Sequence, residues 1–255
     1  MTTADGWATA VRSRLGLGRL LPLGGAADGV WLAERAAAGV LRRTAWAVPG
    51  VSPGRLRIGL ADPESAGAPV VPPPPGALPP GPLRIEADFA VRLAGSGSVP
   101  LPDTAELLRT ALLRDAEERL GLQVTVADLR VTALLEAAAP GEGQAPEEAG
   151  GEEASGAARG APGDALGPAA GADAGTGTGT GPAATTAAVV AAVPGVLRLT
   201  SVLGPSVHRG ADHLRIELAT APGHRALDVA LAVRAAVGGT LPVSVLVTDV
   251  AIGEP

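Results

Sequence analysis

Few side chains in this chain could carry chemistry. His208, Asp212 and His213 lie close together and are the residue types that bind a metal or orient a nucleophile's base. The third histidine, His224, lies further on. His208 and His213 are five positions apart, which does not place both on one helix face, and Gly210 lies between them. Exposed loop histidines are therefore the simpler reading. Gly50-Val51-Ser52-Pro53-Gly54 matches the G-x-S-x-G pattern of a nucleophile elbow. An elbow needs a strand before the serine and a helix after it. Here a helical pattern precedes, an alternating one follows, and Pro53 occupies the turn, so the run reads as a turn. Gly95 and Gly97 sit between a strand and a helix pattern, like a phosphate loop, but lack its third glycine and its lysine.

The charged residues Arg84, Glu86 and Asp88 alternate with apolar ones along one stretch, and Arg215 and Glu217 do so along another. Leu83-Arg84-Ile85-Glu86 returns as Leu214-Arg215-Ile216-Glu217, and upstream Val48-Pro49-Gly50-Val51 returns as Val193-Pro194-Gly195-Val196. With Arg55, Arg57 and Arg198 these charges interleave both signs across neighbouring strands. A solvated sheet laced with cross-strand ion pairs and a protein-docking face are both open readings.

The elements that would position them form a repeated unit of strand, strand, helix and strand. From about Ala33 to Ala47 the pattern is helical, and Pro49-Gly50 stops it. Arg55 to Leu60 alternates as a strand. Residues 62–82 are rich in proline, which favours an extended, stiff surface excursion over an SH3-type ligand. Leu83, Ile85, Ala87, Phe89, Val91 and Leu93 face one way along a one-sided strand, with the charges facing the other. Asp103 and Glu106 resemble a capping box for a helix with the stripe Ala105, Leu108, Leu112, Ala116 and Leu120, ended by Gly121. In the strand after it the apolar parity shifts, which predicts a bulge near Ala127-Asp128. Residues 137–182 hold almost no large apolar side chain, so a disordered linker is expected. A second unit follows over 183–255, with an Ala/Val helix to about 193, short strands near 197–199 and 214–218, a helix over 225–237 and an apolar strand over 243–252.

Residues 1–28 precede the first unit. Trp7, Val11 and Leu15 form a short apolar stripe on an amphipathic helix, suited to a membrane surface, to a partner, or to packing on its own module.

Composition narrows the function. All 20 basic residues are arginine and the net charge is −6, with no arginine-rich run, which argues against a general nucleic-acid binder. The arginine bias suggests a GC-rich genome. Aromatics are 2% of the chain, so the core must be built from Val, Leu, Ile and Ala. There is no cysteine, hence neither disulfide nor thiolate site. No signal-peptide apolar region and no membrane-span-length apolar run is present, so a cytoplasmic location is expected.

Gly29-Val30-Trp31-Leu32-Ala33-Glu34-Arg35-Ala36, then a helix, then Ala47-Val48-Pro49-Gly50-Val51, resembles the opening of the alkaline-shock protein family, also called the envelope stress response family. The helix over Leu101–Leu120 leading to a strand ending in Val124–Val131 is similar to that family too. The likeness covers roughly 29–135, with a degenerate copy over roughly 184–252. It implies a non-enzymatic, cytoplasmic protein without cofactor, held through a partner at the inner face of the membrane, as in a GC-rich, actinobacterial Gram-positive cell.

The expectation is an α+β chain of two similar small modules, 29–136 and 183–255. Each is a three-stranded mixed sheet with helices on one face, and the disordered linker joins them. The first strand of each sheet would sit in the middle, or else the order would follow the sequence. Ile58, Ile85, Phe89, Leu108, Leu112 and Val131 would form one core. Leu199, Ile216, Val233, Val247 and Val250 would contribute to the other. The interaction candidates are Trp7, Val11, Leu15, Arg84, Glu86, Asp88, Arg215 and Glu217, with a protein partner, no nucleic acid and only peripheral membrane contact. The alternative function is a small-ligand or metal-dependent enzyme using His208, Asp212 and His213.

Overall fold

The computed structural model describes residues 16–93, 99–136, 182–239 and 241–253. The expected linker lies outside these residues apart from Pro182, and the Trp7, Val11 and Leu15 stripe lies outside them altogether. The chain is mixed α+β, as its alternation of strand and helix periods implied.

The Val-Pro-Gly-Val turns form first-order local structure. In both, the last Val N–H bonds the first Val carbonyl at 3.2 Å, and the glycine has positive φ (77° at Gly50, 87° at Gly195). This is the type II pattern, with Pro ahead of a left-handed glycine. Each glycine carbonyl then accepts an N–H from the far end of a later strand, Arg92 at 2.7 Å and Ala221 at 2.8 Å.

Before the first turn lies helix α1 (Glu34–Trp46), and after it strands β3 (Val51–Leu60) and β4 (Leu83–Leu93) pair antiparallel. Ser52 sits inside β3, so the G-x-S-x-G match is no elbow. Helix α2 (Leu101–Asp115) runs on through a π-type turn to Leu120, and strand β5 (Val124–Glu136) then pairs parallel with β4. Gly121 ends the helix at φ 86°, as expected of a C-terminal glycine. Its N-cap is Pro100 without a side-chain cap, and Asp103 lies within the helix, so no capping box forms.

The strand order is β3-β4-β5. The alternative with the first strand in the middle is corrected. Pro53 lacks an N–H, and the ladder slips between Pro53 and Leu56, so β3 suits an edge. The expected bulge at Ala127-Asp128 is also displaced. Register slips fall instead where Thr125 and Thr132 are skipped.

In the second half, helix α3 (Pro182–Ala191) and the second turn lead to β6 (Val196–Leu199), β7 (Val207–Arg209) and β8 (Leu214–Thr220), followed by helix α4 (Ala226–Val237) and β9 (Val243–Val250). β6 and β7 both pair antiparallel with one edge of β8, and β9 pairs parallel with the other. Directions and order match the first half.

This second sheet is larger than three strands. β1 (Leu20–Pro22) and β2 (Val30–Ala33), from the start of the chain, extend it, with β2 parallel to β9. Val245 N–H bonds the Gly29 carbonyl at 3.0 Å, and Trp31 is fully buried beside this seam. Helix α1 packs on β3 and α2 as well as on β2 and β9. The described residues before and after the 137–181 stretch thus form one compact unit with one continuous apolar core. The two halves therefore share one core. A parallel strand buried on both faces needs a neighbour on each edge, and β9 takes one of its two from the other half of the sequence.

Ile58, Ile85, Phe89, Leu108 and Leu112 are fully buried, as expected. Val131 is not, because β5 is an edge strand and its outer side is open. Ile216, Val233, Val247 and Val250 are buried and Leu199 is partly so. The Pro-rich excursion is not a bare surface loop. Leu78 N–H bonds the Leu20 carbonyl at 2.8 Å, Trp31 Nε1–H bonds the Leu78 carbonyl at 3.3 Å, and Val71 is buried against Gly29.

Candidate functional site

A groove of about 750 Å³ lies between the C-terminal end of α1 and α2. Its apolar floor is Ala47, Val48, Pro49, Leu107 and Ala111. Asp103, Glu106, Arg43, Arg114 and Arg119 also line it. The helical period explains this. Thr104, Leu108, Leu112 and Asp115 turn into the core, whereas Asp103, Leu107, Ala111 and Arg114 make a second stripe beside them. Leu107 is 54% exposed, a large apolar side chain on the outer flank of its helix.

One polar contact sets the width of the groove. The Thr44 hydroxyl donates to Asp115 Oδ2 at 2.6 Å, both residues being buried, and so ties α1 to α2. Arg114 and Arg119 approach the same carboxylate at 3.4 and 3.7 Å. Sequence reasoning missed the groove. The available signal was Leu107, a leucine of α2's middle turns that is out of phase with the core stripe.

Arg84 and Glu86 line a separate cleft of about 370 Å³ with Arg19, Arg55 and Arg57, walled by Pro63 and Leu78 of the excursion. Arg84 forms an ion pair with Asp128 at 3.2 Å and is half exposed. Glu86 is exposed, and Asp88 is half-buried opposite Arg130 in the ladder. These three stay at the surface.

No family model, no curated protein and no solved structure matches this chain.

Arg215 and Glu217 do not stay at the surface, and the expectation of an interaction face there is corrected. Both are buried, with Arg215 Nε 3.3 Å from Glu217 Oε1. Between β6 and β7 the edge strand breaks into a loop over residues 200–206, directly beside Glu217. The Glu217 backbone bonds both ends of that loop, through Thr200 N–H at 2.9 Å and the Ser206 carbonyl at 2.8 Å. Its carboxylate accepts the N–H groups of Val202 (2.7 Å) and Leu203 (3.0 Å). Burial raises the Glu217 carboxyl above the ordinary glutamate value of 4.5, against the opposing pull of those N–H groups and of Arg215.

The histidine set is only partly assembled. His213 Nδ1 lies 2.8 Å from Asp212 Oδ1 at the tip of the β7–β8 hairpin, and that hydrogen bond holds the Asp212 carboxyl below the usual range. His208 is exposed on β7, opposite Arg215 in the ladder. Among the described residues no three His, Cys, Asp or Glu side chains converge as a metal cage would require, and no helix is long and apolar enough to cross a membrane.

Proposed function

We propose that this chain is a non-catalytic, alkaline-shock-like protein of the envelope-stress type, built from a duplicated strand-strand-helix-strand unit and acting through protein contacts. The observation that carries the reading is the α1–α2 groove. An apolar floor between two helices, rimmed by charges of both signs, fits the apolar stripe of an amphipathic helix from a protein partner. Support for the duplication comes from the matching Val-Pro-Gly-Val turns, the matching glycine carbonyl bonds and the shared order and direction of the strands. Peripheral placement at the inner face of the membrane would come through that partner or through the Trp7, Val11 and Leu15 segment. The test is co-purification from native membranes and cytosol. A partner held by the wild type and by Val70→Glu, but lost from Leu107→Glu, is the expected result. An identical set of proteins on all three would remove the groove from the proposal.

The second reading is a small-ligand or metal-dependent enzyme at His208, Asp212 and His213, favoured by the Asp212–His213 contact alone. Zinc retention by His208→Ala/His213→Ala equal to that of the wild type would eliminate it.

A further inference from the structure

We propose that the chain forms a two-fold dimer in which β5 pairs antiparallel with β5 of a second copy. The proposal is independent of the groove and rests on how the sheet edges are finished.

An unpaired edge strand presents a row of unused N–H and C=O groups, and proteins close such edges with short strands, bulges, prolines or charged side chains. Among the described residues, three of the four edges are closed. β1 and the β6/β7 pair are short, and the Leu20 carbonyl of β1 is taken by the excursion. β3 carries Pro53, which has no N–H, its ladder with β4 slips between Pro53 and Leu56, and its outward Ile58 groups are capped by side chains. Glu34 Oε1 accepts the Ile58 N–H at 3.1 Å, and Arg19 Nη1 donates to the Ile58 carbonyl at 3.4 Å.

β5 is different. It runs for 13 residues and, among the described residues, pairs with β4 alone. Arg109 Nε reaches the Ala127 carbonyl at 3.4 Å, which covers part of its first half. From Leu129 onward no cap from any described side chain reaches the outer edge. Here the strand also exposes its largest apolar groups, Val131 at 37%, Leu134 at 55% and Leu135 at 38%. In the ladder Val131 lies beside Phe89 and Leu134 beside Val91, both buried. The apolar face of the sheet therefore continues one strand past its cover.

The occupant that fits is the same strand of another copy. A two-fold axis perpendicular to the sheet sets a strand antiparallel to itself and keeps the core faces of both sheets on one side, so Val131 and Leu134 of each copy meet. Charge agrees with this. Leu129 to Leu135 holds one charged residue, Arg130, which makes no ion pair among the described residues. An axis near Thr132–Ala133 keeps the two Arg130 side chains about 17 Å apart along the strands, beyond strong repulsion.

The test is light scattering on the full chain, with hydrogen exchange. The wild type is expected at twice the 25.0 kDa of one chain, with slow-exchanging amides over 129–135. Val131→Arg/Leu134→Arg, which touches only exposed side chains, is expected at the single-chain mass with those amides exchanging fast. Val70→Arg, at a still more exposed apolar position elsewhere, should remain dimeric. A wild type that stays at the single-chain mass at its highest soluble concentration overturns the proposal. So does a dimer that survives the double substitution.

Discussion

The same four residues occur in β4 and in β8, and they end in opposite environments. Leu83-Arg84-Ile85-Glu86 keeps its charges wet, whereas Leu214-Arg215-Ile216-Glu217 buries all four. Both segments are central strands with an antiparallel neighbour on one edge and a parallel one on the other. The difference lies in the antiparallel neighbour. β3 runs unbroken past Glu86, which faces Arg57 and has no orphan groups to satisfy. Beside Glu217 the neighbour breaks into a loop, whose two orphan N–H groups need an acceptor that the carboxylate supplies. A charged side chain thus changes from surface decoration to structural plug because a partner strand is interrupted.

The largest effect should come where the two strands agree. Ile85 and Ile216 are both fully buried in the continuous core. Ile85→Asp or Ile216→Asp should each cost several kcal/mol, since an unpaired charge is buried. Because the halves share that core, either change should unfold the whole described body. Calorimetry of the wild type should show one transition, and two well-separated transitions would mean that the halves unfold independently.

The next effect separates the strands. Glu217→Ala strands Arg215 and two loop N–H groups and should cost about 3–5 kcal/mol, whereas Glu86→Ala should cost under about 1 kcal/mol. Denaturant midpoints measure both. pH sharpens the contrast. Because the folded Glu217 carboxyl titrates above 4.5, the folded state holds its proton more tightly than the unfolded one. The stabilisation from that proton is complete below 4.5 and is lost as pH rises through the folded value. The stability of the wild type relative to Glu217→Gln should therefore fall over that rise, while the difference from Glu86→Gln should stay flat. A rising difference would mean that Arg215 and the loop outweigh burial. Smallest of all, Arg84→Ala loses a half-exposed ion pair with Asp128 and should change stability by under about 1 kcal/mol.

Much of the fold is legible in the order of amino acids alone. The α+β class, helices over 34–46, 101–115 and 226–237, the alternation of β4 and the stop at Gly121 follow from periodicities and from glycine and proline chemistry, which act within a few residues. The repeated turn is legible for the same reason, since Pro-Gly sets its own dihedral angles. The candidate sites are less so. Arg84, Glu86 and Asp88 can be placed on a wet face because their own strand alternates, but Arg215 and Glu217 cannot be told from them by any local pattern.

What only the tertiary structure decided is what depends on a distant neighbour. Val131 reads as core by its type and parity, and is open because the sheet ends there. Val30 to Ala33 is the strand that joins the halves by pairing with β9, a partner more than 200 residues away that no local pattern names. Leu107 and Val48, far apart in sequence, share a groove because Thr44 and Asp115 bond across two helices. Local sequence sets backbone dihedral angles and which side of an element is apolar. Which apolar side is covered, and which strand edge finds a partner, depends on long-range packing between segments whose sequences carry no mark of one another.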